Sequence, residues 1–231
     1  MSIEIVQLFF QKCNNVSVGK LLKGIGNSKE IKKFYDDWSN TYDLTLKEWG
    51  YIAPSHSTRI LKKILTKKPK YLLDLACGTG LFVEKFKKIF PKCICDGSDI
   101  SKEILEISNS KGLYRNLYQT SFENKINLKN RYDLVSLIGA MTYCSNHNLL
   151  FKLVNSYLIK GGLFIFTQRI DLWDKLKFED TINNLGNFKK IYKTYEEKKI
   201  KDKFINNRNE KIKSLLESKK IKDFSDILCK F

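Results

Sequence analysis

Several features that define other protein classes are missing from this sequence, and each absence narrows the possibilities. No run of about 18 apolar residues occurs, so we expect no membrane-spanning helix and no membrane partner. The first ten residues include Glu4 and no basic cluster, which argues against a signal peptide. The six cysteines form no CxxC pair and match no zinc-ligand spacing. They predict reduced thiols, no metal site and a cytoplasmic location.

Arginine is also scarce, although the chain is strongly basic. Only five of the 42 basic residues are arginines, and the 25 acidic residues leave a net charge of +17. Proteins that read nucleic-acid bases usually depend on the planar guanidinium of arginine. A lysine-rich composition is explained as well by an AT-rich coding bias as by a nucleic-acid partner. The charge therefore leaves a nucleic-acid partner open, and oligomeric state is not readable from the sequence.

The N-terminal part of the chain has a helical pattern. Residues 3–10 and 16–25 are consistent with two short helices, and the stretch SKEIKKFYDDW (28–38) has apolar residues at helical spacing. A further helix is expected over SHSTRILKKIL, with its cap near Ser55. We therefore interpret residues 1–66 as an N-terminal helical lid or accessory segment.

From Tyr71 onward, short apolar runs alternate with helical patterns. This alternation predicts an α/β domain over residues 67–231, of the doubly wound Rossmann-like class, with a mostly parallel seven-stranded sheet and helices on both faces. The tail predicts a strand over NFKKIYKTYE, a charged helical insertion near 198–220, and a closing strand, FSDILCKF.

The strongest chemical signal lies where the first strand of this domain ends. A glycine-rich turn there lets the backbone turn tightly and lets a ligand approach without a Cβ in the way. Asp99 follows the turn by nineteen residues, at the end of the next predicted strand. An acid at this position can accept hydrogen bonds from both hydroxyls of a ribose. The turn consists of Asp74, Leu75, Ala76, Cys77, Gly78, Thr79 and Gly80.

The order of these motifs resembles that of class I S-adenosylmethionine-dependent methyltransferases. The resemblance covers residues 71–168 and includes DLACGTG, DISKEIL, YDLV and KGGLFIF. It implies S-adenosylmethionine as cofactor, S-adenosylhomocysteine as product, and methyl transfer as the reaction. A closer resemblance, over about residues 30–170, is to the Williams–Beuren region methyltransferase-like family. It includes FYDDWSNTYD (34–43), GYIAP (50–54), KGLY (111–114) and LIGAM (137–141).

The resemblance also implies roles for individual residues. Asp74 would hold the turn and the cofactor's ammonium, Asp99 would hold the ribose, and Ile100 would lie against the adenine. Ser121 stands where the family usually has an acid. The other residues that the resemblance assigns to the cofactor or to a lid over it are Tyr35, Trp38, Tyr42, Ala76, Cys77, Gly78, Thr79, Gly80, Phe122, Ile138 and Gly139.

The protein would mainly need to align the acceptor with the methyl group, because the cofactor already carries that group in an activated form. A hydroxyl or acid acceptor also needs a base. The candidates are the two histidines, His147 and His56, while Tyr143 is a candidate for lining the substrate pocket. Each is also consistent with a capping, surface or core role.

Four functions remain open at this level, and the weakest of them is a non-methylating nucleotide enzyme such as a dehydrogenase, because the glycine pattern does not favour NAD. Methylation of a small molecule is the leading hypothesis. The net charge favours an RNA methyltransferase as the alternative, although the three prolines form no NPPY-type or Pro-Cys motif. The serine at position 121 keeps open a protein that binds the cofactor without turning it over.

Overall fold

The structure is a computed structural model, and it describes residues 3–10, 28–48, 50–185 and 188–194. Of the N-terminal part, the described residues form one strand, three α-helices and a short 3₁₀ turn. In chain order these are β1 (Ile3–Phe10), α1 (Ser28–Trp38), the turn Ser39–Thr41, α2 (Tyr42–Glu48) and α3 (Ala53–Ile64).

Strands and helices then alternate to the end of the described chain. They are β2 (Tyr71–Leu75), α4 (Leu81–Lys87), β3 (Ile94–Asp99), α5 (Lys102–Ser110), β4 (Asn116–Gln119), β5 (Tyr132–Leu137), a 3₁₀ turn (Met141–Tyr143), α6 (His147–Tyr157), β6 (Leu158–Arg169), α7 (Ile170–Lys175), α8 (Phe178–Asn183) and β7 (Phe188–Thr194).

The central sheet is parallel, with strands in the order β4-β3-β2-β5-β6. The strand order reverses between β2 and β5, where two crossovers leave in opposite directions and open a crevice at the carboxyl ends. Beyond β6, β1 pairs in parallel with β6 on one side and with β7 on the other. The predicted α/β class with a parallel Rossmann-like sheet is confirmed.

Each face of the sheet is covered by its own hydrophobic core. Because successive strand residues point to opposite faces, Leu72 packs with α3 and α4 on one face, while Leu73 packs with α6 and α8 on the other. Both residues are fully buried. Burial on both faces explains why the strands appear in the sequence as continuous apolar runs rather than as an alternating pattern.

Two local predictions were wrong. Residues 3–10 form a strand rather than a short helix, because parallel partners on both sides outweigh a weak local preference. Helix α3 begins at Ala53 rather than near Ser55. Pro54 lies in its first turn, where a missing N–H leaves no helical hydrogen bond unmade. The Ser55 hydroxyl instead donates to the carbonyl of Ile52 at 2.9 Å.

Three other predictions concern residues outside those the structure describes. They are the helix over residues 16–25, the charged helical insertion near 198–220 and the closing strand FSDILCKF. Within the described ranges, no helix has the length and apolar character needed to cross a membrane.

Candidate functional site

The glycine-rich turn leaves the carboxyl end of β2 with a tightly constrained backbone. Ala76, Gly78 and Gly80 all have positive φ angles, of 47°, 56° and 87°. A Cβ on Gly80 would lie 3.3 Å from the side chains of Leu113 and Tyr114. The turn is therefore packed against its surroundings, and glycine satisfies both its geometry and its space.

Asp99, at the end of β3, holds this turn in place. One carboxylate oxygen accepts the N–H of Gly78 at 2.9 Å, and the other accepts the N–H of Ser101 at 3.0 Å. The resemblance had assigned the holding of the turn to Asp74, but the hydrogen bond from Gly78 goes to Asp99. Asp99 is buried, and this burial raises the pKa of its carboxyl group.

Asp74, at the end of β2, lies close to Asp99 and is 1 % exposed. It accepts hydrogen bonds from the Ser136 hydroxyl at 2.6 Å and from the Tyr114 hydroxyl at 2.8 Å. Burial, reinforced by the negative charge of Asp99, raises the pKa of Asp74 to about 7. Among the described residues, no cationic side chain forms an ion pair with Asp74 or Asp99. These two carboxyl groups form an acidic pair that a cationic ligand would stabilise.

The helices α1 and α2 cover this site with aromatic side chains. Atoms of the Tyr42 ring lie 3.9 Å from the position of a Cβ on Gly78. Tyr42 also packs edge-on against Trp38, with ring centroids 4.7 Å apart. The Tyr35 hydroxyl donates to the Tyr143 hydroxyl at 3.2 Å. The structure thus brings the predicted aromatic residues together above the glycine turn, and it includes Tyr143 among them.

Two acids of the same helices bind the loops beneath them. Asp43 accepts hydrogen bonds from the Thr79 hydroxyl and, at 2.8 Å, from the Lys111 ammonium. Asp36 accepts from the Ser101 hydroxyl at 2.6 Å. Sequence reasoning missed both acids, although they lie within the quoted segment FYDDWSNTYD. Asp43 thus connects α2 to the glycine turn itself, and Asp36 connects α1 to the residue two positions after Asp99.

A cavity of about 520 Å³ opens beside Asp99 on the side of β4. Ile100, predicted to lie against the adenine, lines it together with Ser121, which stands where the family usually has an acid, and most of the remaining lining residues are polar. The Ser121 hydroxyl accepts the N–H of Glu123 at 3.2 Å and so stabilises the local turn. Phe122 points away into the hydrophobic core, where it is 9 % exposed. The other lining residues are Ser28, Lys32, Gln119, Thr120, Glu123, Asn124, Ser145 and Leu149.

The end of β5 forms another wall of the crevice. Gly139 has a φ of 88°, and its N–H donates to the Thr167 hydroxyl at 2.6 Å. A Cβ on Gly139 would lie only 2.5 Å from the Tyr51 hydroxyl. Sequence reasoning predicted Gly139 but missed Tyr51, which occurs in the quoted segment GYIAP. The neighbouring Ile138 packs against the core under α3 and α4.

The candidate bases are engaged in other contacts. The His147 ring packs edge-on against Phe178, with centroids 4.6 Å apart, and burial lowers the pKa of His147. The Nδ1 atom of His56 lies 2.9 Å from the Arg59 guanidinium. Since arginine can only donate, this Nδ1 must accept, so His56 is neutral in this contact. A base role for either histidine stays a prediction.

Within the described chain, no cluster of three potential metal ligands occurs.

The known proteins to which this chain is similar are methyltransferases. Curated relatives include malonyl-[acyl-carrier protein] O-methyltransferase 2 of Ilyobacter polytropus, 28 % identical over 144 residues, which are 61 % of this chain and 54 % of the relative. A malonyl-[acyl-carrier protein] O-methyltransferase of Legionella pneumophila is 23 % identical over 145 residues, 61 % of this chain and 50 % of the relative. The chain thus spans about half the length of the curated relatives it matches.

Among solved structures, an S-adenosylmethionine-dependent methyltransferase from Clostridium acetobutylicum is 29 % identical, with a TM-score of 0.46, covering 57 % of this chain and 56 % of that one. A family model described as a methyltransferase domain matches residues 46–212. This match includes the glycine turn, Asp74, Asp99 and the end of β5, and it extends over more than half of the chain. The chain therefore belongs to the methyltransferase-domain family.

Proposed function

We propose that the protein transfers a methyl group from S-adenosylmethionine to a small-molecule acceptor. The observation that carries this proposal is the buried acidic pair of Asp74 and Asp99 beside a glycine turn that leaves room for a ligand. When bound, this cofactor supplies an electrophilic methyl group on a cationic sulfur, and it also carries an ammonium group. A cation at this position would compensate the buried Asp99 and favour the ionised form of Asp74, whose pKa is raised to about 7 by burial and by the charge of Asp99.

Each wall of the crevice has a distinct part in this proposal. Asp99 accepts hydrogen bonds from the ribose, and Asp74 favours the ammonium. Gly78 and Gly80 let the cofactor lie close to the backbone, and Ile100 and Ser121 border the adenine end in the 520 Å³ cavity. The other contacts that we propose involve Tyr35, Trp38, Tyr42, Ala76, Cys77, Thr79, Phe122, Ile138 and Gly139.

A small acceptor suits the enclosed position of the site under α1 and α2. The names of the curated relatives support it as well, since they describe methylation of an acyl group on oxygen. The protein's own contribution is to align the acceptor with the methyl group and to exclude water beneath the aromatic cluster. His147, His56 and Tyr143 remain the candidates for accepting a proton or lining the acceptor pocket.

The finer parts of the sequence interpretation belong to the same proposal. We infer a division into a lid segment (1–66) and a catalytic domain (67–231), in which β1, from the first segment, and β7 complete a seven-stranded sheet. The likeness of residues 34–54 to the Williams–Beuren region family is supported by Tyr42 and Asp43, which lie against Gly78 and Thr79 of the glycine turn. Four described cysteines are free thiols, which is in keeping with a cytoplasmic location.

Calorimetric titration with S-adenosylmethionine and S-adenosylhomocysteine tests the cofactor. We expect micromolar binding by the wild type and a loss of at least about 30-fold in Asp99→Ala, which removes charge-assisted hydrogen bonds to the ribose. Asp133→Ala is a matched control, because Asp133 also accepts two backbone N–H groups, those of Lys70 and Tyr71, but at the opposite edge of the sheet. It should bind as the wild type does.

Two results would contradict the proposal. One is a folded wild-type protein that binds neither compound, and the other is undiminished binding by Asp99→Ala. If the wild-type protein binds S-adenosylmethionine, incubation with the methyl-labelled cofactor and a metabolite extract should give labelled small molecules. Binding without any transfer would identify the protein as one that holds the cofactor but does not use it.

A further inference from the structure

The positive charge of the described chain is concentrated in one stretch. Residues 59–92 contain ten basic residues and two acidic ones. Three other described stretches are nearly balanced: four basic against five acidic in 28–48, six against five in 93–132, and five against five in 133–185, while the short stretch 188–194 adds three lysines and no acid. A coding bias toward lysine would spread the excess along the chain, so the concentration in 59–92 needs another explanation.

The fold brings these lysines to one edge of the sheet. In the doubly wound arrangement the helices run against the strands, so the C-terminal ends of α3 and α4 lie at the amino edge. The loops after these helices enter β2 and β3, which are neighbours. The N–H of Ile94 donates to the Lys70 carbonyl at 2.9 Å, which joins the two loops directly. Six exposed lysines, which we call the amino-edge face, lie here: Lys62, Lys63, Lys67, Lys68, Lys88 and Lys92.

The acids near this edge do not neutralise the amino-edge face. Glu84 pairs with Lys85 at 2.8 Å, and the buried Asp96 pairs with Arg115. Asp133 accepts the N–H groups of Lys70 and Tyr71. Among the residues the structure describes, none of the six lysines has a carboxylate within ion-pair distance. Glu84 also interacts electrostatically with Lys88, so the face carries a large excess of positive charge that this one acid offsets only in part.

We propose that the amino-edge face binds the phosphate backbone of a nucleic acid, without reading its bases. Lysine is a point charge that suits phosphate, whereas base edges are read mainly by planar side chains. Protein interfaces are depleted in lysine and rely on apolar or aromatic anchors. The large apolar side chains that the described structure exposes (Leu44, Leu149, Ile159 and Leu176) all lie outside residues 59–92, so an apolar anchor for a membrane is missing from this face as well.

This binding would be separate from methyl transfer. The amino-edge face lies at the opposite edge of the sheet from the glycine turn, so a nucleic acid held there is not delivered to the crevice. The face would instead tether the enzyme to a polyanion while the crevice keeps a small-molecule acceptor. The inference thus goes beyond the proposed function and does not depend on it.

Fluorescence anisotropy with a labelled 20-base-pair RNA duplex of random sequence, from 50 to 300 mM NaCl, tests the inference without cofactor. The test variant replaces four lysines of the face with glutamine: Lys67, Lys68, Lys88 and Lys92. The matched control replaces four exposed lysines elsewhere: Lys102, Lys125, Lys152 and Lys175. Removing one lysine–phosphate interaction lowers the slope of log affinity against log salt by about one.

We expect the wild type to bind with a steep salt dependence. The test variant should bind at least about tenfold more weakly at 100 mM salt, with a slope reduced by about two to four, while the control variant stays within about threefold. Equal weakening in both variants would mean bulk charge attraction and would overturn the inference. So would wild-type binding to vesicles with 30 % anionic lipid that exceeds binding to the duplex.

Discussion

Asp74 is a buried carboxyl group whose ionisation the proposed ligand would control. With a pKa of about 7, the Asp74 carboxyl group is ionised in about a tenth of the molecules at pH 6 and in about nine-tenths of them at pH 8. Since the ammonium of S-adenosylmethionine favours the ionised form, we expect the affinity for the cofactor to rise about tenfold between pH 6 and pH 8. Calorimetric titration across this range measures the effect.

The variant Asp74→Asn is the control for this pH dependence. It keeps an acceptor for Ser136 or Tyr114 but cannot ionise, so its affinity should be weaker and nearly constant over the same range. The raised pKa also affects stability. The folded state holds the proton more tightly than the unfolded state does, so ionisation opposes folding as pH rises from about 4 to about 7. An affinity that falls with rising pH would contradict this role for Asp74.

The sequence predicts individual site residues only where a motif names them. The glycine turn and Asp99 were predicted from their spacing, and the structure brings them within hydrogen-bond distance. The donors to Asp74 were missed, because Ser136 reaches it through the pairing of β2 with β5. Strand register of this kind is set by three-dimensional packing. It cannot be predicted from the spacing of residues along the chain.

At the scale of elements, α2 is attached to the glycine turn by one acid. Asp43 contacts Thr79 and the ammonium of Lys111 while remaining partly exposed. Partly exposed ion pairs and hydrogen bonds of this kind contribute about 1–2 kcal/mol together. In Asp43→Ala we therefore expect the amides of residues 42–48 to exchange about 5- to 30-fold faster. Hydrogen exchange followed by mass spectrometry measures this local opening.

The control for Asp43→Ala is Asp37→Ala. Asp37 lies on α1 and pairs with Lys33 at 2.9 Å at an exposed position, so its removal should leave the exchange of α2 unchanged. Equal exchange of α2 in the wild type and in Asp43→Ala would show that the helix is held by its aromatic contacts alone.

Most elements of the central sheet were predictable because their apolar runs are long and bounded by turns. The prediction failed at residues 3–10, where eight residues, IEIVQLFF, fit a strand as well as a helix. Short apolar runs are ambiguous in this way. Only the pairing with β6 and β7 selects the strand, and both partners lie more than 140 residues later in the chain.

At the scale of the whole molecule, β1 joins the central sheet to β7. Gln7 is paired with Phe166 on one side and with Lys193 on the other. Proline at this position removes an N–H and stiffens the backbone inside a strand with two neighbours. We expect Gln7→Pro to lower the free energy of unfolding by about 3 kcal/mol or more, as measured by urea denaturation. Gln7→Ala, which keeps the N–H, should cost less, and equal destabilisation by both variants would contradict the pairing.

The position of β1 also has a consequence for synthesis on the ribosome. The strand ends at Phe10, but β6 begins at Leu158 and β7 at Phe188. At a translation rate of about 5–20 residues per second, roughly ten to thirty seconds pass between the synthesis of β1 and the synthesis of its first partner strand, β6. During that time an apolar segment with two unpaired edges is exposed to other nascent chains. The nascent protein should therefore depend on a chaperone that binds short apolar segments early, well before the crevice forms.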